Sequence, residues 1–288
     1  MLCDLRLRAA AVLSALVVGV SACGGSQPAS EPDPDDPGIG HIHGLGIDSA
    51  DNALYVAGHY GLFKINSAET AERVAGRIND YMGFTIVGPK TFLASGHPGD
   101  PNATSPHLGL IRTTDAGHTW TTVSEGGKAD FHALQAAGDH LYGYDSQSAR
   151  VKASTDQGRS WTNGAQESVI DLAANGADPV RLYATTPDGL RVSTNGGQDF
   201  APVEGAPLLS HVDSPAKDLL IGPDAEGVIR SSTDGGRTWQ TGGRLPGQAA
   251  AFTAVDGKHL LAAMEDGTVY ESRNGGQDFS VVFRPALR

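Results

Sequence analysis

Short stretches in which apolar and polar residues alternate recur along most of the chain, with turn-forming residues between them. An alternation with a period of two predicts half-buried β-strands. Six such stretches each open a unit of the chain: Gly40–Gly46, Asp80–Phe84, Asp130–Leu134, Val169–Leu172, Leu209–Val212 and Ala251–Ala254. A second strand is predicted in each unit, at Leu54–Ala57, Thr91–Ser95, His140–Tyr144, Arg181–Ala184, Asp218–Ile221 and His259–Ala263. The pattern therefore predicts an all-β chain of six similar units.

Five of the six units carry the same turn pattern after their third predicted strand. The pattern is Ser/Thr-x-Asp/Asn-x-Gly-x-x-Trp/Phe, and its final aromatic residues lie 41, 39, 39 and 40 residues apart, at Trp120, Trp161, Phe200, Trp239 and Phe279. The acidic or amide side chain can accept hydrogen bonds from nearby backbone N–H groups, and the glycine can take a positive φ. We expect these five side chains to be structural: Asp115, Asp156, Asn195, Asp234 and Asn274.

The length of the repeat indicates the fold. Four short strands in about 40 residues are typical of one β-propeller blade. The first unit has a third strand at Leu62–Ile65 but lacks the turn pattern, and a seventh unit is not expected. We therefore predict an all-β fold, a six-bladed β-propeller with four strands in each blade.

The five turns resemble the Asp-box, or BNR, repeat of sialidases and of many non-enzymatic propellers, over roughly residues 100–284. Further segments are similar to a group of bacterial secreted Asp-box proteins that are commonly labelled glycosyl hydrolases by fold: His41–Leu45, Tyr81–Thr85, Ser95–Pro98, Leu108–Asp115 and Asp130–Leu134. The resemblance implies a sialidase-like propeller with Asp-box turns. It transfers no assigned reaction, because fold analogy does not supply chemistry.

The N-terminal residues predict export and anchoring. Arg6 and Arg8 precede an apolar run at Ala9–Val20, which is typical of a signal peptide over residues 1–22. The sequence Val-Ser-Ala-Cys that ends at Cys23 resembles a bacterial lipobox, so we expect Cys23 to carry a lipid on the extracytoplasmic face of the cell membrane. Residues 23–38 are rich in Pro and Asp and predict a disordered tether, followed by the propeller at 39–288. The alternative is ordinary secretory cleavage with Cys23 incidental.

The net charge of the chain argues against some classes of binding partner. The formal net charge is −12, and it becomes −13 when residues 1–22 are removed. An acidic chain without basic runs argues against binding nucleic acid or anionic lipid head groups. With Cys3 in the signal peptide and Cys23 lipidated, no disulfide or thiolate metal site is expected. We expect a monomer whose contact with the membrane is the N-terminal lipid.

An alignment of the six units gathers most of the ten histidines at one end of the predicted channel. The first strands line the channel of a propeller. They place six residues at equivalent positions, one per blade: His43, Met82, His132, Asp171, His211 and Phe252. His41 lies two residues before His43 and so points to the same side of its strand, and His59 and His97 follow the second strands of the first two units. His107 lies in the insertion 96–108 and is assigned no role.

These residue types favour a transition metal. Imidazoles with a thioether and a carboxylate, without thiolates, favour copper ahead of zinc. The predicted ligands are His41, His43, His59, Met82, His97, His132 and His211, with Asp171 as a fourth ligand or as a group that orients a ligand without touching the ion. The simpler interpretation is that these side chains only line a wet channel.

Two other functions stay open. A propeller face can serve as a scaffold or assembly factor for a protein or glycan partner, and the insertion 96–107 is the one long loop. The other is a sialidase-like glycoside hydrolase, which the Asp-box resemblance suggests. Sialidases of this superfamily use three arginines, a Tyr nucleophile with a Glu, and an Asp acid/base. No Arg begins an aligned first strand, and the rim carboxylates available for a catalytic pair are Asp80, Asp130, Asp171 and Glu265. We therefore favour a non-enzymatic function.

Overall fold

The computed structural model describes residues 36–286, which form 24 β-strands and one 3₁₀ turn at Val74–Gly76. The predicted signal peptide, the predicted lipidation site Cys23 and nearly all of the predicted tether lie outside the described residues. The strands form six antiparallel sheets of four strands. Each sheet uses four strands that are consecutive in the chain. The prediction of a six-bladed propeller with four-stranded blades is confirmed.

Blades 1 to 3 take up the first half of the described chain. Blade 1 contains β1 (Ile42–Asp48), β2 (Ala53–Gly58), β3 (Gly61–Ile65) and β4 (Ala71–Arg73). Blade 2 contains β5 (Asp80–Gly88), β6 (Thr91–His97), β7 (Leu110–Thr113) and β8 (Thr121–Ser124). Blade 3 contains β9 (Phe131–Ala137), β10 (His140–Asp145), β11 (Arg150–Ser154) and β12 (Thr162–Gln166).

Blades 4 to 6 repeat the same order. Blade 4 contains β13 (Asp171–Asn175), β14 (Asp178–Thr186), β15 (Gly189–Ser193) and β16 (Ala201–Pro202). Blade 5 contains β17 (Asp213–Ala216), β18 (Leu219–Pro223), β19 (Val228–Ser232) and β20 (Gln240–Arg244). Blade 6 contains β21 (Ala249–Ala254), β22 (Leu260–Met264), β23 (Val269–Ser272) and β24 (Ser280–Phe283). Among residues 36–286, no helix is both long and apolar enough to cross a membrane.

The first strand of blade 5 begins later than its sequence pattern predicts. The pattern places it at Leu209–Val212, whereas β17 begins at Asp213 and Leu209 makes only an isolated bridge to Asp224. Pro223, at the end of the neighbouring β18, accepts a hydrogen bond from the Ser210 N–H (2.9 Å) but has no N–H to return one. A regular ladder therefore cannot form at this point.

The five repeated turns share one hydrogen-bond arrangement. In each, a buried hydroxyl accepts a bond of 2.8 or 2.9 Å from the glycine N–H four residues on; the hydroxyls belong to Thr113, Ser154, Ser193, Ser232 and Ser272. The same hydroxyl donates to the Asp or Asn side chain two residues on. Hydrogen bonds from Thr119 and Ser160 are the largest cause lowering the pKa of Asp115 and Asp156 to about 2. These carboxylates are engaged within their own turns.

The turn glycines have φ between +80° and +91° and face the preceding blade. A Cβ on Gly117 would lie 2.3 Å from Leu62 in blade 1, and one on Gly158 would lie 2.2 Å from Leu110 in blade 2. Only glycine fits both the backbone conformation and this close approach. The turns therefore help to pack each blade against its predecessor.

The ring closes by packing between blade 6 and blade 1, since no strand is exchanged between sheets. Ile42, Val56 and Phe63 of blade 1 share one buried cluster with Leu261 and Phe283 of blade 6. The Arg284 N–H also donates to the Ala68 carbonyl (2.8 Å). Apolar burial is thus the main term that holds the ring shut.

Candidate metal centre

The first strands of all six blades line a central cavity of about 400 Å³. Its wall includes most of the residues that the alignment placed at equivalent positions: His43, His132, Asp171, His211 and Phe252. Met82 is not among the described residues that line this cavity. It lies half-buried on β5, where a bulge shifts the register between Tyr81 and Gly83. A bulge turns the following side chain away from its regular direction.

Three histidines of blade 1 come together at the rim where the first strands begin. We call His41, His43 and His59 the blade-1 triad. His41 directly precedes β1, His43 lies on β1, and His59 lies in the turn between β2 and β3. One ring nitrogen from each can be chosen so that all three lie within 4.8 Å of one another. The rings of His43 and His59 are stacked at 4.8 Å with an angle of 13° between their planes.

The backbone explains why these rings meet. The His59 N–H donates to the His41 carbonyl (3.1 Å), and a Cβ on Gly58 would lie only 2.3 Å from that same carbonyl oxygen. A larger residue at position 58 would push the two chain segments apart. The glycine therefore allows the strand start and the turn to approach closely enough for their imidazoles to touch.

His43 is the most deeply placed member, with 14% of its side chain exposed. Its Nε2 is buried and has no hydrogen-bond partner among residues 36–286, and it lies 3.9 Å from Asp80 Oδ1, which is also buried and unpaired there. Burial, followed by the neighbouring His41, His59 and His132, lowers the pKa of His43 to about 3. At neutral pH this imidazole is uncharged and keeps a free lone pair.

Two carboxylates also lie beside the triad, Glu265 and Asp80. His41 Nε2 lies 3.0 Å from Glu265 Oε2 of blade 6. Because a carboxylate accepts, the proton of His41 sits on Nε2 and its Nδ1 is left for an ion. Burial raises the pKa of Asp80, which also lies in the electrostatic environment of His59, His97 and Asp130. A bound cation would stabilise the ionised form of Asp80.

His97 and His132 meet at a second position on the same rim, around Asp130. The carboxylate of Asp130 is 2% exposed and lies 2.9 Å from His132 Nε2 and 3.6 Å from His97 Nε2. Burial alone would raise the pKa of Asp130, but the hydrogen bonds from His132 and Ser146 outweigh it and the pKa is lowered. Asp130 is therefore an anion beside imidazoles. His107 from the insertion also reaches this carboxylate.

His211 and Asp171 lie apart from both groups. His211 Nδ1 is 3.3 Å from the Ser210 hydroxyl in its own blade, and burial lowers the pKa of His211 to about 4. Asp171 accepts hydrogen bonds from the N–H groups of Leu172 (2.9 Å) and Val212 (3.0 Å), so it links blade 4 to blade 5. Burial raises the pKa of Asp171 to about 7.

The alignment places His43, His132 and His211 on alternate blades, whereas the structure brings together a different set of histidines. The structure instead gathers histidines on blades 1 to 3, because turns and an insertion add His59, His97 and His107 only there. The proximity of Glu265 to His41 and the role of His107 were not foreseen from the sequence. Asp80 and Asp130 were identified only as rim carboxylates.

Chemically, the blade-1 triad offers three imidazole nitrogens at the rim of the central cavity, which His43 itself lines. Ligand atoms about 2.0–2.1 Å from a tetrahedral ion lie about 3.3 Å apart, so small ring rotations would suffice to enclose one. Three imidazoles plus an open position suit copper or zinc. The unpaired Nε2 of His43 supports this fit, since an ion would satisfy it.

The comparisons with known proteins identify the fold. No family model and no curated protein matches this sequence. A GH74 xyloglucanase from Xanthomonas campestris has a TM-score of 0.57 at 18% identity, covering 85% of this chain and 45% of that chain. YCF48 bound to a D1 peptide has a TM-score of 0.54 at 16% identity, covering 85% and 83%. A nidogen/laminin complex has a TM-score of 0.62 at 13% identity, covering 81% and 93%.

These likenesses are too distant in sequence to show more than a β-propeller fold. This chain spans less than half the length of the xyloglucanase. Glycoside hydrolysis and peptide binding therefore remain properties of those proteins.

Proposed function

We propose that this protein is an extracytoplasmic, lipid-anchored β-propeller that binds one transition-metal ion through His41, His43 and His59, with copper ahead of zinc. The observation that carries the proposal is the close approach of three imidazoles, whose ligand atoms lie within 4.8 Å of one another around the buried, unpaired Nε2 of His43. Neutral nitrogen ligands without thiolates favour copper, because Cu²⁺ binds such a site more tightly than Zn²⁺ in the general order of divalent-ion affinities. The carboxylate of Asp80 can balance part of the charge of a divalent ion.

Metal titration of the full chain tests the proposal. Cys3→Ser and Cys23→Ser should be present throughout, since thiolates would compete for Cu(I). The informative variant is His59→Ala, because His59 is exposed and its loss should leave the fold intact. We expect it to abolish stoichiometric copper binding, measured by competition with a chromophoric chelator. His118→Ala, an exposed histidine in the first repeated turn, is the matched control and should bind as the parent does.

An unchanged affinity for both Cu(I) and Cu(II) in His59→Ala would contradict the proposal. Binding no tighter than about 10 μM in the parent, a free energy near −7 kcal/mol, would do the same. The histidines would then be lining of a wet channel. Thermal unfolding of each variant without metal distinguishes a lost ligand from a lost fold.

The lipid anchor is a separate part of the proposal and rests on the sequence Val20–Cys23. Mass spectrometry of the mature protein should find Cys23 as the first residue with a diacylglyceryl group attached. A Cys23→Ala variant should then partition into the aqueous phase of a detergent extraction. A mature protein that starts elsewhere and carries no lipid would support ordinary secretion instead.

A scaffold function is the second candidate, and exposed apolar side chains on the histidine-bearing rim favour it. Tyr60, Ile78, Ile170 and Leu208 all lie beside strand starts or turns of this rim, and Leu208 is 55% exposed. Contiguous exposed apolar area on one face often marks a binding surface. Leu208→Asp should release a protein or glycan partner while leaving copper binding unchanged, as judged by co-purification and chelator competition. Failure of Leu208→Asp and Ile170→Asp to release a co-purifying partner would exclude this surface.

A further inference from the structure

The insertion between β6 and β7 brings a histidine to a buried carboxylate that already faces another histidine. We call His97, His107 and Asp130 the loop triad. His97 ends β6, His107 lies in the insertion, and Asp130 directly precedes β9 of the next blade. One ligand atom from each lies within 4.8 Å of the other two. The two imidazole rings are 5.5 Å apart at an angle of 49°.

The three side chains are held in place by bonds that leave ligand atoms free. His97 Nδ1 lies 2.9 Å from the Pro106 carbonyl. A carbonyl only accepts, so Nδ1 carries a proton and Nε2 is the ring nitrogen available to an ion; it lies 3.6 Å from Asp130 Oδ2, the oxygen that His132 also contacts. This arrangement, in which a backbone carbonyl orients a histidine for an ion, is common in metal sites.

The insertion is tied to the propeller rather than loosely attached. The Leu108 N–H donates to the Gly96 carbonyl (2.8 Å), and the Gly127 N–H donates to the His107 carbonyl (3.0 Å). The Gly99 N–H donates to Asn79 Oδ1 (2.9 Å). His107 is therefore positioned by both ends of its loop.

Two polar atoms of the loop triad are buried without hydrogen bonds. They are Asp130 Oδ1 and His107 Nδ1, and neither has a partner within the part of the chain that the structure describes. The other oxygen of Asp130 accepts bonds from His132 Nε2 (2.9 Å) and the Ser146 hydroxyl (3.0 Å). An unpaired buried carboxylate oxygen is costly, and a cation would satisfy it together with the imidazole nitrogen.

We propose that the loop triad is a second metal site, separate from the blade-1 triad, which binds a divalent zinc-class cation through His97, His107 and Asp130. Two imidazoles and a carboxylate are a ligand set typical of Zn²⁺ and related divalent ions. The blade-1 triad, with imidazoles alone, suits copper better. His132 acts as a positioning residue that orients Asp130 through their hydrogen bond.

This site does not depend on the proposed copper site, so the same set of variants tests each separately. Co²⁺ serves as a spectroscopic probe for the zinc-class site on the full chain with Cys3→Ser and Cys23→Ser, and Zn²⁺ then displaces it. In a His59→Ala background, which removes one ligand of the blade-1 triad, we expect one equivalent of Co²⁺ whose visible absorption disappears when His107→Ala is added, with an affinity loss of at least about 100-fold. His59→Ala and the control His118→Ala should retain the Co²⁺ spectrum.

A second variant of a proposed ligand distinguishes loss of metal binding from a folding defect. His97 is 37% exposed, so His97→Ala should keep the unfolding temperature of the parent and still lose Co²⁺. His132→Ala should weaken Co²⁺ binding by about 10- to 100-fold, because Asp130 would lose the hydrogen bond that orients it, and should alter the spectrum of the bound ion.

The outcomes separate the two proposals. Co²⁺ binding that persists unchanged in both His97→Ala and His107→Ala overturns the loop site and leaves the copper site standing. Copper binding that survives in His59→Ala but is lost in His107→Ala overturns the copper proposal instead. Loss of Cu(I) only in His59→Ala and of Co²⁺ only in His107→Ala supports two separate sites.

Discussion

Replacing the buried hydroxyl of one repeated turn should destabilise the whole propeller. Ser232 is 2% exposed, and its hydroxyl accepts from the Gly236 N–H (2.8 Å) and donates to Asp234 Oδ1 (2.8 Å). In Ser232→Ala the Gly236 N–H stays buried against blade 4 without a partner. An unpaired buried backbone donor costs about 1–3 kcal/mol, so the free energy of unfolding should fall by that amount. For a domain of this size each kcal/mol corresponds to roughly 2–4 °C in Tm.

Urea unfolding followed by tryptophan fluorescence measures this change, without metal and at one pH. Ser231→Ala is the matched control, because it makes the same substitution one residue away at a half-buried position and should change stability by less than about 0.5 kcal/mol. Ser154→Ala and Ser272→Ala should resemble Ser232→Ala, since their bonds to the turn glycine are equally short. Equal stabilities of Ser231→Ala and Ser232→Ala would refute the view that these turns are structural.

Three further predictions concern titration and packing in the metal-free protein. Because the pKa of His43 is about 3 in the folded state and near 6.5 when unfolded, the unfolded state takes up this proton first. The contribution of His43 to the free energy of unfolding should therefore fall as the pH drops from 6.5 towards 3, so the difference in stability between the parent and His43→Gln should shrink over this range, and an NMR titration should show no shift of His43 above about pH 5. Asp171 contributes with the opposite sign: its pKa is raised to about 7 from 3.8, so its own contribution to stability should decrease as the pH rises from about 4 to 7, and the difference between the parent and Asp171→Asn in urea unfolding should follow that decrease. Gly143→Ala should cost about 1–3 kcal/mol, since its Cβ would lie 2.5 Å from the buried ring of Phe131, and an unchanged urea midpoint would contradict this packing.

Most of the fold could be predicted because a propeller blade is a local structure. Each blade uses consecutive strands, so the alternation of apolar and polar residues and the turn pattern contain nearly all the information that its sheet needs. The prediction was wrong at the start of β17, where the pattern of Leu209–Val212 is regular but Pro223 cannot complete the ladder. That failure depends on a residue in the neighbouring strand, which periodicity does not consider.

The site was less predictable because its geometry is not repeated. The alignment identified His43 and the adjoining His41 and His59, and these do lie together. Their contact depends on the close approach at Gly58, which no periodic pattern reveals. His107 belongs to an insertion present in one blade, so no residue of the other units aligns with it. Asp130 was visible as a rim carboxylate, but its hydrogen bond to His132 required the folded structure.

Anomalous diffraction from crystals of the copper-loaded protein, recorded at the copper absorption edge, tests the central claim most directly. The proposal predicts one strong peak about 2.0 Å from a ring nitrogen of each of His41, His43 and His59, with Asp80 nearby. The peak should be missing in crystals of His59→Ala. A peak elsewhere on the protein, or none at stoichiometric copper, would contradict the assignment of this rim as a copper site.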